Sequence, residues 1–151
     1  MEIYQVENNL SLSGSEIKRL VQEKVESYKN FSTLELYAIF MGKAQILEFG
    51  LKGLLYRKYE FSFESMEKWT LGRVKNELEK KGLRKDFIML LSSVVTYRNH
   101  IAHEFLLNNL IAKSLGDFSD RKLYGDLFRA ICELEQIIII YGWTEENNGW
   151  S

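Results

Sequence analysis

The chain contains no proline, one cysteine and two histidines among its 151 residues. Because proline interrupts helices more strongly than any other residue, its absence permits long helices throughout the sequence. A single cysteine excludes an intrachain disulfide and a cysteine-based metal cluster. That residue, Cys132, falls within a helical apolar pattern, which predicts a buried structural thiol.

The sequence also lacks a membrane-type hydrophobic run and a strong charge bias. Its longest apolar run, residues 137–143, is too short to span a bilayer, and residues 1–12 lack the basic-then-apolar pattern of a signal peptide. A formal net charge of −1 argues against indiscriminate nucleic-acid binding. These features predict a cytoplasmic protein in a reducing compartment, with no membrane association.

Length and apolar periodicity predict one all-α domain, residues 1–151, built as an up-and-down bundle of about five helices. Its core covers about residues 15–141, and the polar tail 144–151 is expected to fray. A capping box at Ser32 opens the second helix, in which Gly42 and Gly50 are expected to allow close approach of another helix. Thr70 and Gly82 delimit the third helix. The predicted helices are about 15–29, 33–59, 71–81, 84–107 and 120–141, with a connection over 108–119.

The fourth predicted helix carries a charged residue in its apolar stripe. Arg98 fills a seven-residue gap in that stripe, at the position where an apolar residue is expected. A guanidinium keeps its proton and cannot be buried without a partner. Either Arg98 meets a buried carboxylate, or the stripe opens there into a cleft or a subunit interface. The apolar members of the stripe are Phe87, Leu91, Val94, Ile101 and Phe105.

Arg98 is followed by Asn99, and His103 lies four residues after Asn99, so these two side chains neighbour each other on a helix. An arginine fork suits phosphate oxygens, and a histidine exchanges protons near neutral pH. His103 lies about 140° around the helix from Arg98, a gap that a second copy of the chain could close. His100 points to another face and is expected to be exposed.

Two charged residues of the second helix are candidates to support this site. Glu48, at the flank of the apolar stripe, either pairs with Arg98 or is simply a boundary glutamate. Lys43 falls within the stripe itself, where it either extends its ammonium to solvent or lines the same cleft. Residues 43–85 contain eleven Lys or Arg against six Asp or Glu, a local net charge of +5 that would attract a phosphate backbone.

The pattern Arg98-Asn99-x-x-x-His103 resembles the Arg-x(4–6)-His signature of the HEPN superfamily, in which a polar residue directly follows the arginine. HEPN domains are all-helical bundles of toxin–antitoxin, abortive-infection and other defence systems. The long second helix, short third helix and motif-bearing fourth helix are similar too, so the resemblance covers roughly residues 15–141. Phe105 stands where a subgroup carries a tyrosine that a nucleotidyltransferase antitoxin modifies, so this chain lacks the hydroxyl which that regulation requires.

The resemblance implies a metal-independent endoribonuclease without a cofactor, active as a homodimer with a composite site. His103 would act as acid or base, Arg98 would stabilise the phosphorane, and Asn99 would orient His103 or donate to the phosphate. Glu48 and His100 would support them. The products would carry a 2′,3′-cyclic phosphate and a 5′-hydroxyl. A toxin or antiphage effector of this kind would act on RNA, with an antitoxin or regulatory protein as a further partner.

Two other interpretations of the sequence remain open. One is a non-catalytic helical module that binds a nucleotide, RNA or a partner protein. The other is a purely structural dimerisation bundle, in which Arg98 serves folding alone. A metal centre is not expected, because the two histidines have no cysteine or carboxylate set beside them beyond Glu104.

Overall fold

The computed structural model of the chain describes the backbone of residues 3–5, 11–115 and 120–150 and the side chains of residues 11–104 and 122–150. Five helices and one small sheet form this part, so the predicted all-α helical bundle is confirmed. Within the described ranges, no helix combines the length and apolarity that a bilayer crossing needs. The elements are β1 (Ile3–Gln5), β2 (Ser11–Ser13), α1 (Gly14–Glu26), α2 (Thr33–Tyr59), α3 (Leu71–Lys80), α4 (Lys85–Leu115) and α5 (Asp120–Glu146).

The helix starts follow the capping signals of the sequence. Ser32 and Glu35 form the predicted reciprocal capping box, which satisfies amide groups that the first turn of α2 leaves without partners. The Thr70 hydroxyl accepts a hydrogen bond from the Arg73 amide at 3.3 Å and opens α3. Gly82 follows α3 with a φ of +79°, a conformation that glycine adopts without steric cost.

Helix α5 packs against α1, α2 and α4, while α3 bridges α2 and α4. The apolar stripes predicted for α2 and for residues 87–101 of α4 are buried in this core. Gly50 permits a close approach between α2 and α5, because the Tyr141 hydroxyl donates to its carbonyl oxygen at 3.0 Å. Gly42, predicted for the same purpose, has no other residue near its Cβ position and faces open space.

The predicted end of the motif helix was wrong, because α4 continues to Leu115 instead of ending near residue 107. The first part of the predicted 108–119 connection is therefore helical. The segment contains no glycine before Gly116, and its leucines and alanine favour helix. Two asparagines, Asn108 and Asn109, cost a helix only a fraction of a kcal/mol each.

The expectation of a frayed C-terminal tail is contradicted at two places. Helix α5 runs on to Glu146, and Trp150 beyond it is almost fully buried. The Trp150 indole packs edge-on against Phe87, with ring centroids 4.9 Å apart, and its carbonyl accepts a hydrogen bond from the Arg84 amide at 3.1 Å. Because Trp150 follows closely after the end of α5, its large apolar side chain can hold the tail on the core.

The small antiparallel sheet was not predicted. It pairs Ile3 with Ser13 and Gln5 with Ser11. Each strand has only three residues, which is too short for an alternating pattern to stand out in the sequence. The second strand leads directly into α1, where the Ser13 hydroxyl accepts from the Glu16 amide at 3.1 Å.

Candidate functional site

Helix α4 places all the motif residues along little more than one turn and a half. Arg98 is half-buried, between the fully buried Val94 and Ile101 of the same stripe. Asn99 and His103 are exposed on the neighbouring face. The helix therefore positions Arg98 at the edge of the core, whereas the exposed His103 lies on a different face.

Arg98 has no carboxylate partner within the described chain. Neither it nor Asn99 nor His103 makes a hydrogen bond or ion pair with any side chain that the structure describes. The first alternative for Arg98 was a buried carboxylate partner. The described part of the chain contains no such partner. The half-buried guanidinium instead leaves its donors available to solvent, a ligand or a second chain.

Glu48 does not pair with Arg98. It accepts a hydrogen bond from the Lys52 ammonium at 3.3 Å, one turn further along α2. Of the two interpretations of Glu48, the boundary glutamate is the one that fits the structure.

His100 is exposed, as predicted, and faces α5. Its Nε2 atom lies 3.9 Å from Oδ2 of Asp126, a distance too long for a hydrogen bond but within range of charge attraction when the imidazole is protonated. Asp126 also lies 3.7 Å from the Arg129 guanidinium. Asp126 was not predicted, because no signal along the chain indicates that these faces of α4 and α5 meet.

Two cavities adjoin the motif through Tyr97. The smaller, of about 360 Å³, is lined by Ser93, Thr96, Tyr97 and His100. The larger, of about 600 Å³, lies between α1, α4 and α5. Its wall combines an apolar part with a polar rim that includes two cations. The residues lining the larger cavity are Gly14, Ile17, Lys18, Val21, Gln22, Tyr97, Arg129, Cys132, Glu133 and Gln136.

Cys132 lies in the wall of the larger cavity and is half-buried, not fully buried as predicted. Burial raises the pKa of its thiol, and the nearby Glu135 carboxylate raises it further. A thiol with a raised pKa is a poor nucleophile at neutral pH because the thiolate is the reactive form. Its partial burial and raised pKa agree with the structural interpretation of the cysteine.

Lys43 follows neither of its two predicted alternatives, since its ammonium forms an ion pair with Glu135 of α5. Glu135 is only 2% exposed and accepts a second hydrogen bond from the Tyr28 hydroxyl at 3.0 Å. Burial lowers the pKa of Lys43, but its contacts with Glu135 and Tyr28 outweigh burial and raise it overall. This triad joins α2 and α5 to the residues that follow α1. It was missed because the three residues are far apart in sequence.

The basic excess of residues 43–85 is largely compensated within the fold. Six of the eleven cations, on α2, α3 and just before α4, lie in ion pairs with nearby carboxylates. Two more lie over aromatic rings: Arg73 is 4.5 Å from the Trp69 ring centroid, and Lys81 is 5.5 Å from that of Phe61. The attraction of this region for a phosphate backbone is therefore weaker than its sequence indicates.

Where the structure describes side chains, no three His, Cys, Asp or Glu residues lie close enough together to share a metal ion. Phe105, the position of the HEPN-subgroup tyrosine, lies outside the residues whose side chains are described. Comparison of the chain with models of known protein families, with curated proteins and with solved structures gives no match. The interpretation of the site thus depends on the motif and its geometry.

Proposed function

We propose that this protein is a metal-independent endoribonuclease of the HEPN type that acts as a homodimer. The observation that carries the proposal is the state of Arg98: it occupies a core position of α4, yet it is half-exposed and has no partner among the described side chains. A guanidinium in that position is available to bind a phosphate. His103 is exposed just over one turn further along the same helix.

RNA supplies its own nucleophile, so the protein needs only a proton acceptor, a proton donor and a cation. His103 accepts the proton of the 2′-hydroxyl as this oxygen forms a bond to phosphorus. Arg98 stabilises the additional negative charge on the phosphorane oxygens. The bond from phosphorus to the 5′-oxygen then breaks, and that oxygen takes up a proton from His103 of a second copy or from water. The products are a 2′,3′-cyclic phosphate and a 5′-hydroxyl.

The dimer follows from the angle between the two groups. Because Arg98 and His103 point about 140° apart on one helix, a single copy does not direct both at one phosphate. Two copies that face each other along α4 bring Arg98 of one chain toward His103 of the other. Asn99 lies between them and is suited to donate to the phosphate or to orient His103. The proposed role is that of a toxin or antiphage effector.

Purified protein incubated with total RNA and with tRNA in excess EDTA tests the activity. Wild-type protein should cleave both and leave cyclic-phosphate ends, whereas Arg98→Ala and His103→Ala should each reduce the rate by about 100-fold or more. Met89→Ala is the control, since Met89 is exposed on the same helix and lies outside the motif, and it should retain most activity. Intact RNA with wild-type protein, or equal cleavage by His103→Ala, would contradict the proposal.

Expression in bacteria tests the biological role. The wild-type chain should slow growth, and His103→Ala should relieve this effect while the protein still accumulates. Equal toxicity of both proteins would show that the effect does not depend on the proposed chemistry.

A second candidate function, a non-catalytic binding module, is favoured by the 600 Å³ cavity. A volume of this size fits a small ligand. Tyr97 offers an aromatic surface, and Lys18 and Arg129 offer positive charge at the rim. Titration of the protein with mononucleotides, followed by calorimetry, distinguishes this function: Lys18→Ala should weaken binding, and His103→Ala should leave it unchanged.

A further inference from the structure

Helix α2 is apolar on two opposite sides. One side is buried in the bundle, as described above, but the other presents four large apolar side chains to solvent: Ile46, Phe49, Tyr56 and, from the loop that follows, Phe63. Their exposed fractions are 71%, 68%, 53% and 40%. A helix that is apolar all round is normally enclosed on all sides. In the described part of this bundle, α2 is enclosed on one side only.

These side chains and the exposed Gly42 form the surface that we call the α2 seam: Gly42, Ile46, Phe49, Tyr56 and Phe63. Gly53, on the same side of the helix, is buried beneath the Arg57 guanidinium. The four helical members are spaced four, three and seven residues apart, as on the contact line between paired helices. Phe63 joins them by stacking on Phe49, with centroids 5.7 Å apart, and on Tyr56, at 5.0 Å. The side chains are therefore held in place before any partner arrives.

The charges beside the seam exclude a nucleic acid as its preferred occupant. Lys52 is paired with Glu48, and Arg57 with Glu145 at 2.8 Å. A phosphate backbone requires uncompensated cations, and aromatic rings that already stack on one another offer few free faces to bases. An apolar surface with a compensated rim suits another protein surface of the same character.

We propose that the occupant is a second copy of this chain, bound through two antiparallel α2 helices with Phe49 at the two-fold axis. Such an arrangement pairs residues that are equally far from Phe49 in opposite directions. Tyr56, seven residues after Phe49, then lies over Gly42, seven residues before it, and both lie about 10 Å along the helix from the axis. Among the described residues, none lies within 4 Å of the Cβ position of Gly42, so it offers the space that the Tyr56 ring fills.

The remaining members of the seam fit the same arrangement. Ile46 of one chain faces the stretch between Phe49 and Tyr56 of the other, where Phe63 lies. The exposed parts of the four large side chains amount to roughly 500 Å² per chain, which makes an interface of roughly 1,000 Å² in total. This is about the lower limit for a specific dimer, so the association is expected to be weak to moderate. The interface does not involve Arg98 or His103 and does not depend on the proposed nuclease.

Sedimentation equilibrium of wild type and three groups of variants tests the proposal. Phe49→Glu places two like charges at the axis and should raise the dissociation constant of this step by about 100-fold or more. Leu34→Glu and Met89→Glu are matched controls, because these side chains are 64% and 74% exposed but lie outside the seam. Both controls should associate as wild type does. Arg98→Ala, which is outside the seam, should also leave this step unchanged.

Gly42→Leu distinguishes the proposed arrangement from non-specific hydrophobic association. It adds apolar surface to an exposed helical position and should not harm the fold. In the proposed dimer the new side chain blocks Tyr56 of the second copy and weakens association, whereas a non-specific apolar patch would become more adhesive. Tighter association of Gly42→Leu, unchanged association of Phe49→Glu, or a wild type that is monomeric at about 100 µM would each overturn the proposal.

Cross-linking gives a second readout that does not depend on affinity. In a Cys132→Ser background, Phe49→Cys lies at the axis and should form a symmetric disulfide under mild oxidation. Leu34→Cys, fifteen residues away along the same helix, should not. Equal cross-linking of the two variants would contradict the position of the axis.

Discussion

Two helices of this protein each carry a cation within an otherwise apolar stripe, but only one of these two cations is paired with a described carboxylate. On α2, Lys43 meets Glu135, a nearly fully buried carboxylate, which also binds the Tyr28 hydroxyl. On α4, Arg98 is half-buried and has no partner among the described side chains. Lys43 thus belongs to the bundle, whereas Arg98 has donors left over for something outside it.

The difference shows how a cation that the fold pairs can be separated from one that it leaves unpaired. A charge in a stripe costs desolvation energy, and a carboxylate in the same chain offsets that cost when the fold supplies one. Where the fold supplies none, the stripe instead opens toward solvent. From the sequence the lysine and the arginine are equally anomalous, so only the presence of Glu135 opposite one of them distinguishes the two.

The largest expected effect comes from replacing the cation of each helix by methionine. Lys43→Met should lower the free energy of unfolding by about 3–5 kcal/mol, because Glu135 is left as a buried, unpaired charge. Arg98→Met should change it by no more than about 0.5 kcal/mol, since no internal partner is lost. Urea denaturation followed by circular dichroism measures both. Equal destabilisation would mean that Arg98 is structural as well.

The Lys43–Glu135 ion pair can also be broken by replacing the carboxylate. Glu135→Leu should cost about 1–3 kcal/mol, less than Lys43→Met, because the lysine side chain is 26% exposed and can turn its ammonium to solvent while the Tyr28 hydroxyl loses its acceptor. The double variant Lys43→Met with Glu135→Leu should be more stable than Lys43→Met alone. If the two costs simply add, the pair is not coupled.

The smallest expected effect is on the pH dependence of stability. Lys43 has a pKa raised above its ordinary value of 10.5: burial lowers it, but the contacts with Glu135 and Tyr28 outweigh burial. A raised pKa means that the folded state holds the proton more tightly, so this contribution is complete below pH 10.5 and disappears as the pH rises through the folded pKa.

Urea denaturation between pH 8 and pH 11 measures this contribution. Wild-type protein should lose stability more steeply above pH 10.5 than Lys43→Met, in which the group is absent. Arg98→Met serves as the control and should follow the wild-type curve. Parallel curves for wild type and Lys43→Met would show that the lysine pKa is the same in the folded and unfolded states.

The parts of the fold that follow from local chemistry were predicted well. The capping box at Ser32, the Thr70 cap and the glycine after α3 depend on groups within a few residues of one another, and α2 has its predicted bounds. The boundaries that depend on contacts between distant residues were not predicted well. Trp150 holds the tail because Phe87, far away in the sequence, forms its binding surface.

The same distinction holds for the candidate site. Arg98, Asn99 and His103 were found from their spacing on one helix, and their activity remains a prediction. Asp126, which faces His100, and Glu135, which faces Lys43, were missed because each comes from a different helix. Gly42 was assigned to helix packing inside the fold, whereas the structure places it on an open surface.

The sequence by itself determined the class of the protein, the starts of its helices and the positions of Arg98 and His103 along α4. These properties depend on helical periodicity and on contacts within one or two turns. Only the tertiary structure decided which cation is paired and which apolar face of α2 is left exposed. Both depend on which helices become neighbours, and that is fixed by packing between distant segments and not by any local pattern.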